Sequence, residues 1–211
     1  MENMMMQFKQ PILFDGETIT ECDLSGIRKL TTADIYAAQL QNGLSLTTSH
    51  MEGENLRYAM TVAAMATGRP RGFFGQLKKR DVMAFPRTVN TILNDEVADN
   101  VTTTGKKLEF KKNIEGLGRK LNLSEIDNLV ADDFAMAQDE IGIEESTSIS
   151  DFMSIKYACV LASILTGKKL EDFMKAPTYV GLTVRGVVMN YFFEPGSETD
   201  DGSTESDSAN S

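Results

Sequence analysis

Residues 57–69 read RYAMTVAAMATGR, and residues 156–168 read KYACVLASILTGK. The two stretches lie 99 positions apart, and Tyr58, Ala59, Ala63, Thr67 and Gly68 meet Tyr157, Ala158, Ala162, Thr166 and Gly167. Their cationic ends match too, Arg57 with Lys156 and Arg69 with Lys168. Outward, without a gap, Leu24, Ser25, Ile27, Leu30, Asp34 and Gln39 meet Leu123, Ser124, Ile126, Leu129, Asp133 and Gln138, and Phe74 meets Phe173. One ungapped offset over that many positions reads as two tandem copies of one unit. The expectation is that residues 24–94 and 123–193 share a fold.

Each copy of the stretch is expected to be a buried helix. Leu56, Ala59, Met60 and Ala63 recur at helical spacing, as do Ile155, Ala158, Cys159 and Ala162. Val62, Met65, Leu161 and Ile164 make the opposite side apolar as well, which belongs in a core. Gly68 and Gly167, each followed by a cation, supply the stop: glycine accepts the left-handed conformation past a helix end, and a cation suits its dipole. CVLASIL is far short of the ~20 apolar residues a membrane span needs.

The chain has 211 residues, 41% apolar and 25% charged, ordinary for a globular protein, with a net charge of −10. Six of the carboxylates (Glu194, Glu198, Asp200, Asp201, Glu205 and Asp207) lie in a C-terminal stretch without a base. Nucleic acid, itself a polyanion, is an unsuitable partner for such a chain. Cys22 and Cys159 are not repeat equivalents, and two unmatched cysteines suit a reducing cytoplasm better than a disulfide framework. MENMMM lacks the charged start and long apolar region of a signal peptide.

In order, residues 10–94 make the first unit. Ile12-Leu13-Phe14 and Glu17-Thr18-Ile19 flank Asp15-Gly16, a strong hairpin signal. Thr31 or Thr32 caps a helix with Asp34 in its first turn. A loop over 44–53, the core helix, and a short segment with Phe73, Phe74 and Leu77 follow. Asp81 caps the final helix, whose Pro86 must sit in the first turn or kink it. Residues 95–107 read as a linker. Residues 108–193 form the second unit, opening on a degraded hairpin and ending in TYVGLTVRGVVMNYFF, which the repeat assigns to helix. Residues 194–211 are compositionally disordered. The class is therefore mainly α (α+β): two tandem small helical repeats, the first opening with a β-hairpin, then a disordered acidic tail.

No catalytic constellation emerges. His50 is the only histidine, and its equivalent is Ile149, so the unit does not require it. No Cys or His cluster has metal-ligand spacing, and no phosphate-cradling loop is present. Asp132-Asp133 and Glu144-Glu145 are adjacent pairs, which on a helix do not face each other. Arg69, Arg71, Lys78, Lys79, Arg80 and Arg87 form a basic cluster, read as a solvated face or a partner for the acidic tail. ADIYAAQLQNGLSLTTSH has the outline of a helix-turn-helix, but its second helix would carry no arginine or lysine.

The unit as a whole resembles the phage tail assembly chaperones of Mu-like contractile-tailed phages. The residues behind this are Pro11-Ile12-Leu13-Phe14-Asp15-Gly16, then Ile27-Arg28, Leu30-Thr31 and Asp34, with leucine where the family has proline. Helices ending AMATGR and SILTGK, a short helix and a final helix complete the pattern. The resemblance implies a cofactor-free, non-enzymatic protein of the host cytoplasm, absent from the mature virion. It would coat the tape-measure protein and recruit tail-tube subunits, with self-association and without nucleic acid or membrane as partners. Other readings are a structural or regulatory helical adaptor of the particle, or a DNA-binding regulator. Flexible apolar side chains suit such binding. The expected contact residues are Met4, Met5, Met6, Phe73, Phe74 and Phe173, with Phe73 foremost because its equivalent is Asp172.

Overall fold

The computed structural model describes residues 4–42, 55–142 and 153–193. Two short antiparallel sheets and eight α-helices make up these residues. Strands β1 (Met5–Phe14) and β2 (Glu17–Asp23) form the opening hairpin. Its turn holds Asp15 at φ 51° and Gly16 at φ 81°, the positive values that a type I′ turn needs at both central residues. Helix α1 (Thr32–Gln41) starts at a capping box: the Asp34 amide donates to Thr31 Oγ1 at 3.3 Å, and the Thr31 amide donates to the Asp34 carboxylate at 2.8 Å. Helix α2 (Leu56–Thr67) ends at Gly68 with φ 70°. The short α3 (Arg71–Phe74) and the long α4 (Lys79–Asn100) follow.

Strand β3 (Val101–Thr104) leaves α4 directly and pairs with β4 (Lys107–Ile114), which pairs with β5 (Gly118–Asn122). Then come α5 (Ala131–Ile141), α6 (Ile155–Thr166) ending at Gly167 with φ 65°, α7 (Leu170–Lys175) and α8 (Thr178–Phe193). Shifted by 99, the 3₁₀ turn at Ser25–Lys29 falls on that at Ser124–Asn128, and α2 falls on α6. The starts of α1, α3 and α4 fall on those of α5, α7 and α8.

Three expectations need correction. Residues 95–107 are not a linker: 95–100 complete α4, and 101–104 are strand. The apolar stripe Val89, Leu93, Val97 keeps helical spacing across this region, and Val97 packs on the second core. The β-branched VTTT that follows favours strand. Asp81 is not a cap, because α4 begins two residues earlier at Lys79, and Pro86 lies beyond the first turn. The first unit also begins before residue 10, because β1 takes in Met5 and Met6. The expected loop at 44–53, His50, and the acidic tail lie outside the described residues.

Asp81 has a different task. The register between β1 and β2 shifts between Gln7 and Ile12, and this irregularity releases backbone amides from the ladder. Two of them, on Lys9 and Gln10, donate to the two carboxylate oxygens of Asp81 at 2.9 and 3.3 Å. The buried aspartate thus pins the hairpin to the first turn of α4.

Each half has its own apolar core, one around Ile12, Val62, Phe74 and Phe85, the other around Phe110, Tyr157, Leu161 and Val184. Ala63 and Ala162 are fully buried, as the repeat reading required of them. The halves are joined through α1. Its start pairs with the start of α8: the Thr32 amide donates to the Ala176 carbonyl at 2.9 Å, and the Thr178 amide to the Leu30 carbonyl at 3.1 Å. Buried Gln39 completes the joint, donating from Nε2 to the Met153 carbonyl and accepting from the Ile155 amide at 3.1 Å. A Cβ on Gly181 would lie 2.4 Å from Thr32 Cγ2, so only glycine allows this approach. Arg28 and Glu96 add an ionic contact, Nε to Oε1 at 2.7 Å, off the hydrogen-bond direction.

Candidate functional surface

The residues expected to contact a partner divide into two groups. Phe73, Phe74 and Phe173 are fully buried and so are not surface residues. Phe73 is the centre of an aromatic cluster, 6.2 Å from Phe8, 5.5 Å from Phe14 and 4.9 Å from Phe74 between ring centroids. The Arg69 guanidinium covers its remaining face at 4.5 Å. The mismatch with Asp172 has a local cause. In the first half the hairpin sits on the short helix through the Phe14 ring; in the second, the hairpin turn brings Gly116 itself against the Asp172 carboxylate. Phe73 and Asp172, 99 positions apart, therefore stand at two different ways of seating a hairpin.

Met4 and Met5 are partly exposed, whereas Met6 is buried. With Arg80, Met83 and Arg87 of α4 they line an open groove of about 590 Å³. Strand β1 forms one wall through alternation, which buries Met6 and Phe8 and leaves Met5 partly open. The other wall is the solvent side of α4, where Met83 is 70% exposed. Met83 was legible as an apolar residue off the inward stripe Phe85, Val89, Ile92, but the expected contact set omitted it. Three flexible thioether side chains beside two guanidinium groups suit an amphipathic partner with acidic flanks. Val130, just before α5, and Met136 on it are also exposed.

No group of three or more His, Cys, Asp or Glu side chains among the described residues could hold a metal ion. Burial pushes the Cys159 thiol up to about 12, far from a reactive thiolate. Cys22 is also raised by burial, with nearby Arg69 opposing the shift. At the joint between the halves, burial raises Glu96 against the pull of Arg28, and burial with the Glu96 charge raises Tyr179. No described helix is long and apolar enough to cross a membrane. The chain matches no protein-family model, no curated protein and no solved structure at a significant level.

Proposed function

We propose that this chain is a non-enzymatic assembly chaperone of a contractile phage tail, made of two tandem copies of one helical unit. Its partner is the tape-measure protein, which it keeps soluble while tail-tube subunits are recruited. The observation that carries the reading is the methionine groove between β1 and α4, which can follow the varied apolar faces of a long helical partner. The resemblance of residues 10–94 to the family supplies the partner's identity. The duplication draws support from the shared offset of helix starts, 3₁₀ turns and glycine stops.

Coexpression tests the function. The intact chain is expected to hold a tape-measure protein in the soluble fraction, and Met83→Asp to reduce that fraction while leaving the circular dichroism spectrum unchanged. Phe73→Asp is the wrong probe, because it buries a charge in the aromatic cluster and unfolds the first half. A tape measure that stays insoluble beside the intact chain refutes the reading. Retention in purified mature tails assigns a structural role instead.

A further inference from the structure

The rim of the methionine groove, taken as the partner site on which this inference rests, carries charge in a fixed order along α4. Arg80, Arg87 and Asp95 all line the groove, and all three are exposed. The two arginines are seven positions apart, so they project from nearly the same face, about 10 Å apart along the axis. Met83 lies between them on that face, three positions after one and four before the other. Asp95 follows eight positions beyond Arg87, about 22 Å from Arg80. The floor is apolar, with Ile92 and Met6 buried in it. Because Lys9 and Gln10 are bonded to Asp81 in the first turn of α4, β1 lays Met6, Met5 and Met4 alongside the turns that follow.

Among the described residues, neither Arg80 nor Asp95 has an ion-pair partner. Charges placed along an apolar trough set the register of whatever lies in it, because opposite charges attract across the contact and like charges repel. A helix lying along α4 has the same rise per residue, so the spacing of the groove becomes the spacing that its occupant needs. An extended strand spans the same length with about seven residues and turns alternate ones away. Too few side chains then remain to fill the trough and also meet its charges.

We infer that the occupant of this groove is an amphipathic helix of the partner whose polar edge carries two acidic residues seven apart and a basic residue eight further on. These meet Arg80, Arg87 and Asp95 in turn, while the apolar face lies on Met83, Met4 and Met5. The groove therefore selects by the order of charges and not by their sum. A helix with the mirrored order, base first, meets the same three groups by lying the other way. An acid–base–acid order sets like charges together at Arg87 and at Asp95 in either direction. A purely acidic segment suits the arginines but is repelled at Asp95.

Two helical peptides of identical composition test the inference, one with the acid–acid–base order and one with acid–base–acid at the same positions. Their binding to the full chain is read by fluorescence anisotropy. The matched peptide is expected to bind about fivefold to tenfold more tightly, since two attractive exposed pairs become repulsive in the other. High salt should shrink that ratio. Arg87→Glu with Asp95→Arg rewrites the groove as plus–minus–plus and should reverse the preference, with the circular dichroism spectrum unchanged. Asp95→Lys alone, at an exposed position, should abolish the preference, because each peptide then meets one like charge. Equal affinities in the wild-type chain overturn the inference while leaving the groove as an apolar partner site. Binding of neither peptide overturns it as well, and coexpression with a tape-measure protein then decides separately whether the chaperone reading survives. A preference that appears only after residues 195–211 are removed also overturns it, because the acidic tail is then the occupant of the arginines.

Discussion

Asp81 makes a connection that sequence spacing hides. The sequence offers an aspartate near the start of an apolar helix, which reads as a cap; the amides that it satisfies belong to Lys9 and Gln10, more than seventy positions away. Asp81→Ala strands two partly buried donors, and a loss of about 1–3 kcal/mol is expected in denaturant melts. A neutral result would mean that water replaces the carboxylate. By contrast, the Thr31–Asp34 capping box was legible, because both partners lie within one turn of the same helix. Cys159 gives the pH prediction. Its thiol ionises at about 12 in the fold but near 9.0 when exposed, so the unfolded chain loses the proton first. The contribution to stability is complete below pH 9 and is lost as pH rises from there toward 12. Cys159→Ala should therefore flatten the fall in stability over that interval relative to wild type. Parallel curves would show that the native thiol ionises normally.

At the scale of elements, the helices with a strict repeat were legible and the connections were not. The boundaries of α2 and α6 follow from apolar spacing and a glycine stop, both local. TYVGLTVRGVVMNYFF has β-branched residues suited to strand, yet it forms α8, where Val180, Val184, Val187 and Val188 pack into the second core. Tertiary burial overrides propensity there. The misread linker shows the reverse, since acidic residues at 95, 96 and 99 disguised a stripe that continues through Val97. Packing between elements is most demanding at Gly181. Gly181→Ala places a methyl group within 2.4 Å of Thr32 Cγ2 and 3.0 Å of Ile155 Cδ1, and should cost about 1–3 kcal/mol. Thr32→Ala removes the first obstacle, so the double variant should regain part of that loss despite forfeiting the Thr32 hydroxyl bond to Ala176. Equal costs in the single and double variants would place the strain elsewhere. The Gly181–Thr32 pair was not visible in the sequence, because the repeat suggested two parallel units and gave no sign of which faces touch.

Across the whole molecule, two cores are tied together by one continuous helix and one crossing helix. Helix α4 contributes Phe85 and Val89 to the first core, then carries Val97 onto the second without a break. Helix α1 returns the connection, with Ile35 in the first core and Gln39 bonded to the backbone at Met153 and Ile155. Opening one half removes partners from the other: unfolding the second leaves the Gln39 amide and the Leu30 carbonyl without their bonds. Unsatisfied groups at a freshly opened apolar face make the half-unfolded state costly. The two halves should therefore unfold together. Amide exchange in rising denaturant is the suitable probe, because α2 and α6 report separately on the two cores. Protection of residues 56–67 and 155–166 is expected to disappear at one common midpoint. Residues 1–94 expressed alone should melt well below the full chain, since they lose the α8 contacts of Thr32 and the end of α4. Two separated midpoints, or an unaffected fragment, would show that each half is self-sufficient and that the joint adds little to the stability of either.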